Sequence, residues 1–279
     1  MTAAREGKKE AKQLQDNIRR IEPFFAKMGK QEAYDWLGSH NEPGQTFDEY
    51  LDADPVNPTT ERQKIYVLPL GTFTPQQKRI IDITANYLEV FYDLKVTQMP
   101  AQTLSVAYPN ARENKLLGNR QIKTSYILND KLKPILPKDA AALIAFTNSD
   151  LYPDDSMNYV FGQASFEARV GVWSLYRLEK RANFDIFLRR MLKIATHETG
   201  HMFSMRHCTK YECLMSGTNH IAETDRRPID ACPECTAKVC WLSDTDQPTR
   251  YKNLAAFCRK NALNKEAVEF SKKALAIIE

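Results

Sequence analysis

Three of the chain's five histidines fall within eleven residues, in the run His197-Glu198-Thr199-Gly200-His201-Met202-Phe203-Ser204-Met205-Arg206-His207. Residues four apart project from one helix face, one turn above each other. A helix here therefore lets both His197 and His201 reach one zinc ion, at about 2.0–2.1 Å. Glu198 flanks the same face and can act on a water at the metal without being a ligand. His207 comes six residues after His201, too far to share that face. The helix must end near Ser204 and turn back, so that the third imidazole closes the site. Three protein ligands leave a fourth position for water or substrate, which a catalytic zinc requires. A bare His-Glu-x-x-His also arises by chance; the third histidine, with Met215 downstream, turns the motif into a metal site. Met215 itself reads as core packing.

Five of the six cysteines lie between Cys208 and Cys240. Cys208 follows the third histidine directly, Cys213 comes next, and Cys232-Pro233-Glu234-Cys235 forms a Cys-x-x-Cys pair. Four thiolates suit a closed tetrahedral structural zinc; two disulfides or free buried thiols are the other readings. Cys240 has no obvious place in that set, and the remote Cys258 reads as a small core residue.

The periodicity predicts a mixed α/β arrangement. Ile65 to Leu70 reads as a strand. Thr74 suits an N-cap and Pro75 a first helical position, opening a helix to Tyr92. Leu94 to Met99 and Ala141 to Thr147 read as strands. Tyr159 to Ala164 and Ala168 to Leu175 read as an antiparallel pair joined by a short turn. Asn183 to Phe203 is a long helix, with Asn183 its cap, and carries the first two histidines. Helical pattern returns at 233–241 and 249–278, the last part resembling a helical hairpin. Residues 1–60 look peripheral: Gln13 to Met28 and Gln31 to Leu37 as helices, Asn41 to Thr60 as a loop. The stretch 100–140 carries weak signals.

Net charge is +4, from 39 basic and 35 acidic residues. That balance argues against nucleic acid or an anionic membrane as partner. No apolar run approaches a membrane span. Met1 to Glu10 is charged, with no apolar segment behind it, and does not read as a signal peptide. Clustered cysteines without such a signal favour metal thiolates in a reducing compartment, and the expected location is cytoplasmic.

Taken together, the motif His197-Glu198-x-x-His201, then His207-Cys208, Cys213-Leu214-Met215 and Cys232-x-x-Cys235 resembles that of the archaemetzincin family of zinc peptidases. Two flanking runs are also similar: Asp150 through Ser165, and Gly217-Thr218-Asn219-His220 through Asp225-Arg226-Arg227-Pro228. The likeness covers roughly residues 45–260. It implies an α+β, metzincin-like fold, with a twisted mixed β-sheet and the active-site helix in an upper lobe and an irregular helical lower lobe. It implies a strand near Phe161 to Ser165 at the sheet edge, able to pair with an extended substrate. It implies two zinc ions per chain, the second held by Cys208, Cys213, Cys232 and Cys235, with Met215 beneath the first.

The expected organisation is an N-terminal helical and loop extension at 1–60, a catalytic domain at 61–248 and a helical tail at 249–279. The expected function is hydrolysis of a peptide or protein substrate, with Glu198 as general base. The alternative is a zinc-stabilised binding protein with little or no turnover. One departure concerns Ser204, where most metzincins place a glycine that eases a positive φ. No tyrosine follows soon after Met215 to stabilise an oxyanion. His220 is a candidate for that role, a structural hydrogen bond being its other reading.

Overall fold

The computed structural model describes residues 3–114, 116–165 and 168–278. From the N-terminus come α1 (Ala3–Ile21), α2 (Trp36–Ser39) and α3 (Phe47–Asp52), then β1 (Lys64–Leu70), α4 (Pro75–Tyr92) and β2 (Lys95–Gln98). The middle of the chain supplies β3 (Ala111–Glu113), β4 (Arg120–Lys123), α5 (Thr124–Tyr126), β5 (Ala140–Thr147), β6 (Asp150–Tyr152), β7 (Gly162–Ser165) and β8 (Val170–Ser174). It closes with α6 (Leu175–Leu178), α7 (Phe184–Met202), α8 (Ile221–Arg226), α9 (Pro233–Ser243), α10 (Gln247–Lys260) and α11 (Asn264–Ile278). The chain divides into two compact units, one of residues 56–89 and 94–203, the other of 1–55, 90–93 and 204–279. These follow different lines from contiguous ranges broken at 60 and 248.

The first unit is built on a five-stranded sheet in the order β2-β1-β5-β8-β7. Its first four strands are parallel, and β7 pairs antiparallel with β8 at the edge. Every residue of β5 is buried, as expected of a central parallel strand covered on both faces. The predicted hairpin pair is present, and the turn expected to join it includes residues 166–167, outside the described residues. A smaller sheet, β3-β4-β6, comes from segments with weak or no strand signal. Its three- and four-residue strands are too short to show alternation. Thr74 and Gln77 cap α4 reciprocally, each side chain accepting the other's backbone N–H at 3.2 and 2.9 Å. This is the capping box that a Thr followed three residues later by Gln allows.

Helix α7 packs against β7 and β8. Asn183 caps it by accepting Ile186 N–H at 2.9 Å. Buried Arg190 donates to the carbonyls of Leu178 and Lys180, at 2.9 and 3.1 Å. Trp173 of β8 donates its indole N–H to the Ile194 carbonyl at 3.0 Å, one turn before the histidines. Gly171 makes this possible: a Cβ there would stand 2.3 Å from the Trp173 ring. Sheet and helix are thus registered where the chemistry-bearing residues begin.

The other unit is helical. Helix α1 lies on α9 and α11, and α10 forms an antiparallel pair with α11. The sequence reading of residues 1–60 as peripheral does not hold, because Ile21, Phe47 and Tyr50 are essentially fully buried. Leu14 and Phe47 share a core cluster with Ala237 and Cys240, which gives Cys240 its place as a packed apolar side chain. Three local readings also change. Pro23 limits α1 to Ile21, followed by a short 3-10 turn. The second helix is only Trp36–Ser39 rather than Gln31 to Leu37. Asn41 to Thr60 contains α3, started by a capping box between Thr46 and Glu49. That Thr-x-x-Glu signal stood in the sequence but was outweighed by the surrounding Pro, Asp and Gly.

Candidate active site

Helix α7 puts His197 and His201 on one face, with their Nε2 atoms 3.0 Å apart and rings perpendicular. The helix ends at Met202. Phe203 caps it by donating to the carbonyls of Gly200 and His201. Ser204 then takes φ 63°, the left-handed conformation that a glycine eases. The turn carries the chain to His207, and ring nitrogens of His197, His201 and His207 all lie within 4.8 Å of one another. Tetrahedral zinc with bonds of about 2.0–2.1 Å needs ligand nitrogens about 3.3 Å apart. The 3.0 Å between the two helix imidazoles is close to that spacing. Each of the three imidazoles is half-buried.

Glu198 is also half-buried. Desolvation pushes its carboxyl up to about 7, and a divalent cation beside it would favour the ionised form again. Because left-handed backbone costs an L-residue roughly 1–2 kcal/mol, Ser204→Gly is expected to be tolerated and to stabilise the protein by up to that amount. Thermal denaturation checks this; a clear drop in melting temperature would mean that Ser204 contributes a bond worth more than the strain.

His207 has neighbours that the sequence did not announce. Its Nδ1 lies 2.9 and 3.1 Å from the two carboxylate oxygens of Glu42. The Trp36 ring meets it edge-on at 5.1 Å. Glu42 sits in the segment read as loop, 165 residues away in sequence, so no local pattern could have paired the two.

Cys208, Cys213, Cys232 and Cys235 converge, their sulfurs all within 4.8 Å of one another. Cys208 Sγ and Cys232 Sγ are 3.6 Å apart; tetrahedral thiolates on zinc at about 2.3 Å stand about 3.8 Å apart. All six cysteines are free thiols and all are buried. Burial raises the Cys213 and Cys232 thiols well above their ordinary value. Cys208 is held far below it by the thiols of Cys213, Cys232 and Cys235 aimed at its sulfur. Cys213 Sγ also accepts backbone N–H groups from Met215 and Cys232, at 3.3 and 3.1 Å. Four sulfurs so placed fit one tetrahedral metal ion. Met215 is buried as expected, and its carbonyl accepts Cys208 N–H at 2.8 Å, tying the two halves of the cysteine loop.

His220 is engaged structurally. Its Nδ1 accepts Glu223 N–H at 3.2 Å as the N-cap of α8, and its Nε2 lies 3.4 Å from Asp35. Asp35, His220 and Glu223 also cluster closely. Arg226 pairs with Asp35 at 2.6 Å and Arg227 with Glu223 at 3.0 Å, so this cluster balances its own charge without a metal.

A family model described as Peptidase family M54 matches residues 101–240. Archaemetzincin-2 of Rattus norvegicus is 34% identical over 255 residues, covering 79% of this chain and 71% of its own. The archaemetzincin of Archaeoglobus fulgidus is 31% identical over 176 residues, covering 63% of this chain and 98% of its own. The crystal structure of archaemetzincin from Methanopyrus kandleri superposes with a TM-score of 0.54 at 26% identity, over 65% of this chain and 96% of that one. A fold of this type carrying these histidine and cysteine patterns, with the family match and these relatives, leads to one conclusion: the chain belongs to peptidase family M54, the archaemetzincins, a family of zinc metallopeptidases with a metzincin-like fold.

Proposed function

We propose that this chain hydrolyses peptide bonds at a zinc held by His197, His201 and His207, with Glu198 as general base. Cys208, Cys213, Cys232 and Cys235 hold a second, structural zinc, making two per chain. The observation that carries this reading is the convergence of three imidazoles around one point, with a carboxylate next in sequence on the same helix. Zinc bound there supplies Lewis acidity, polarising a substrate carbonyl and lowering the pKa of a water to about 7. Glu198 takes a proton from the attacking water and returns it to the leaving amine. Its half-buried setting raises its affinity for that proton, which suits a group that must hold and then release it. Strand β7 is the antiparallel edge of the main sheet, and an extended peptide can add to such an edge through main-chain hydrogen bonds. A four-thiolate metal site suits a reducing compartment, and the protein is proposed to be cytoplasmic.

Metal analysis under reducing conditions is expected to return two zinc ions per chain. A mild chelator should remove the histidine-bound ion first, because its ligands are half-exposed while the four cysteines are buried. One zinc or none overturns the two-site reading. Profiling a mixed peptide library with and without chelator then tests activity. Zinc retained with no peptide cleaved favours the zinc-stabilised binding protein instead.

A further inference from the structure

We propose that residues 34–45 form a positioning arm for the third zinc ligand, in which Glu42 orients His207 and Gln45 clips the turn that delivers it. This rests on the reading of His207 as a ligand. His197 and His201 are aimed by a helix, whereas His207 hangs on an irregular turn with Ser204 at positive φ. Something outside the turn must hold it, and the arm does so at three points. Gln45 donates its side-chain N–H to the Ser204 carbonyl at 3.4 Å and accepts Arg206 N–H at 3.0 Å. It is itself held by Lys238, which donates to the Gln45 carbonyl at 2.6 Å and to its side-chain oxygen at 3.1 Å. Glu42 takes the His207 Nδ1. A carboxylate on Nδ1 fixes the proton there, leaves the Nε2 lone pair for the metal, and makes the imidazole a stronger donor. Trp36 packs its ring edge-on against the same imidazole and stacks on His40 at 3.9 Å.

The arm is docked at its other end by the run from Gly217 to Arg226, which contributes no zinc ligand. Glu223 accepts Trp36 N–H with both carboxylate oxygens at 3.1 Å. Asn219 donates to the Tyr34 carbonyl at 3.3 Å and to Ser39 Oγ at 3.0 Å. Arg226 and His220 both face Asp35. Gly217 is a glycine for steric reasons: a Cβ would stand 2.4 Å from the Trp36 ring. Similarity of this run to the family is thereby given a physical task, the seating of a segment that lies outside the matched residues 101–240.

The test uses the full chain with its cysteine-bound zinc retained and the histidine-bound zinc removed by mild chelation. Zinc is titrated back in competition with a chromogenic chelator, and cobalt(II) in parallel for its visible spectrum. Glu42→Ala is expected to weaken zinc at the histidine site by about 10- to 100-fold and to alter the cobalt bands. Glu42→Gln keeps the size and an accepting oxygen, and should recover part of that loss. In a His207→Ala background the same Glu42→Ala change should have no further effect, because the two residues act as one unit. Wild-type affinity in Glu42→Ala, or an undiminished loss in the His207→Ala background, overturns the arm while leaving His207 a ligand. Wild-type zinc affinity in His207→Ala itself overturns the reading of the site, and the arm with it.

Discussion

Glu198→Ala is expected to lower peptide cleavage by at least about 100- to 10,000-fold, the usual contribution of a general base. The substitution leaves all three imidazoles in place, so zinc content and melting temperature of the loaded protein should barely change. Glu198 sits between His197 and Thr199 on α7, and Thr199 is buried, with its hydroxyl donating back to the Ala195 carbonyl at 2.6 Å. The only other carboxylate of α7 is Asp185 in its first turn, about three turns before the histidines. A peptide found by library profiling of the wild type supplies the assay. Cleavage that survives Glu198→Ala unchanged would assign the chemistry to another residue or to a contaminant.

Changing Cys232 and Cys235 together to Ser is expected to unfold the protein or leave it insoluble, not to produce a clean catalytic defect. Both thiols are almost completely buried, Cys232 at the N-terminus of α9 and Cys235 in its first turn. Zinc bound by thiolates is folding free energy, about 10–16 kcal/mol in isolated zinc-finger peptides. A domain has only about 5–15 kcal/mol of net stability to lose. Two buried hydroxyls in place of two thiolates also leave Cys208 and Cys213 facing a half-built site. Thermal denaturation and soluble yield under reducing conditions check the expectation. A double mutant with full thermal stability would remove the four-cysteine zinc from the account.

How much was legible beforehand depends on the distance over which each feature is decided. The spacing of His197 and His201, the Asn183 cap and the end of the helix near Ser204 are matters of one helix and one turn, and the structure agrees with each. The main strands were legible because β1, β5 and β8 are short, largely apolar runs. The antiparallel edge strand followed from the family resemblance and a short hairpin. The cysteines could be grouped because thiolates of that number and spacing suit one zinc.

Residues 1–60 were misjudged because their meaning is not local. Leu14, Ile18 and Ile21 form a modest stripe, and only the tertiary structure supplies α9 and α11 as its cover. The capping box at Thr46 and Glu49 announced α3 but not that Phe47 would be buried against α9. Glu42 carried no signal at all, since a single exposed-looking carboxylate in a loop gains its role only when the fold brings it 2.9 Å from His207. The sequence by itself determined which side chains can hold metal and the helix that aims two of them, because residue type and helical period act over a few residues. Only the tertiary structure decided what holds the third, because hydrogen bonds between segments 165 residues apart are set by packing and leave no periodic trace in the chain.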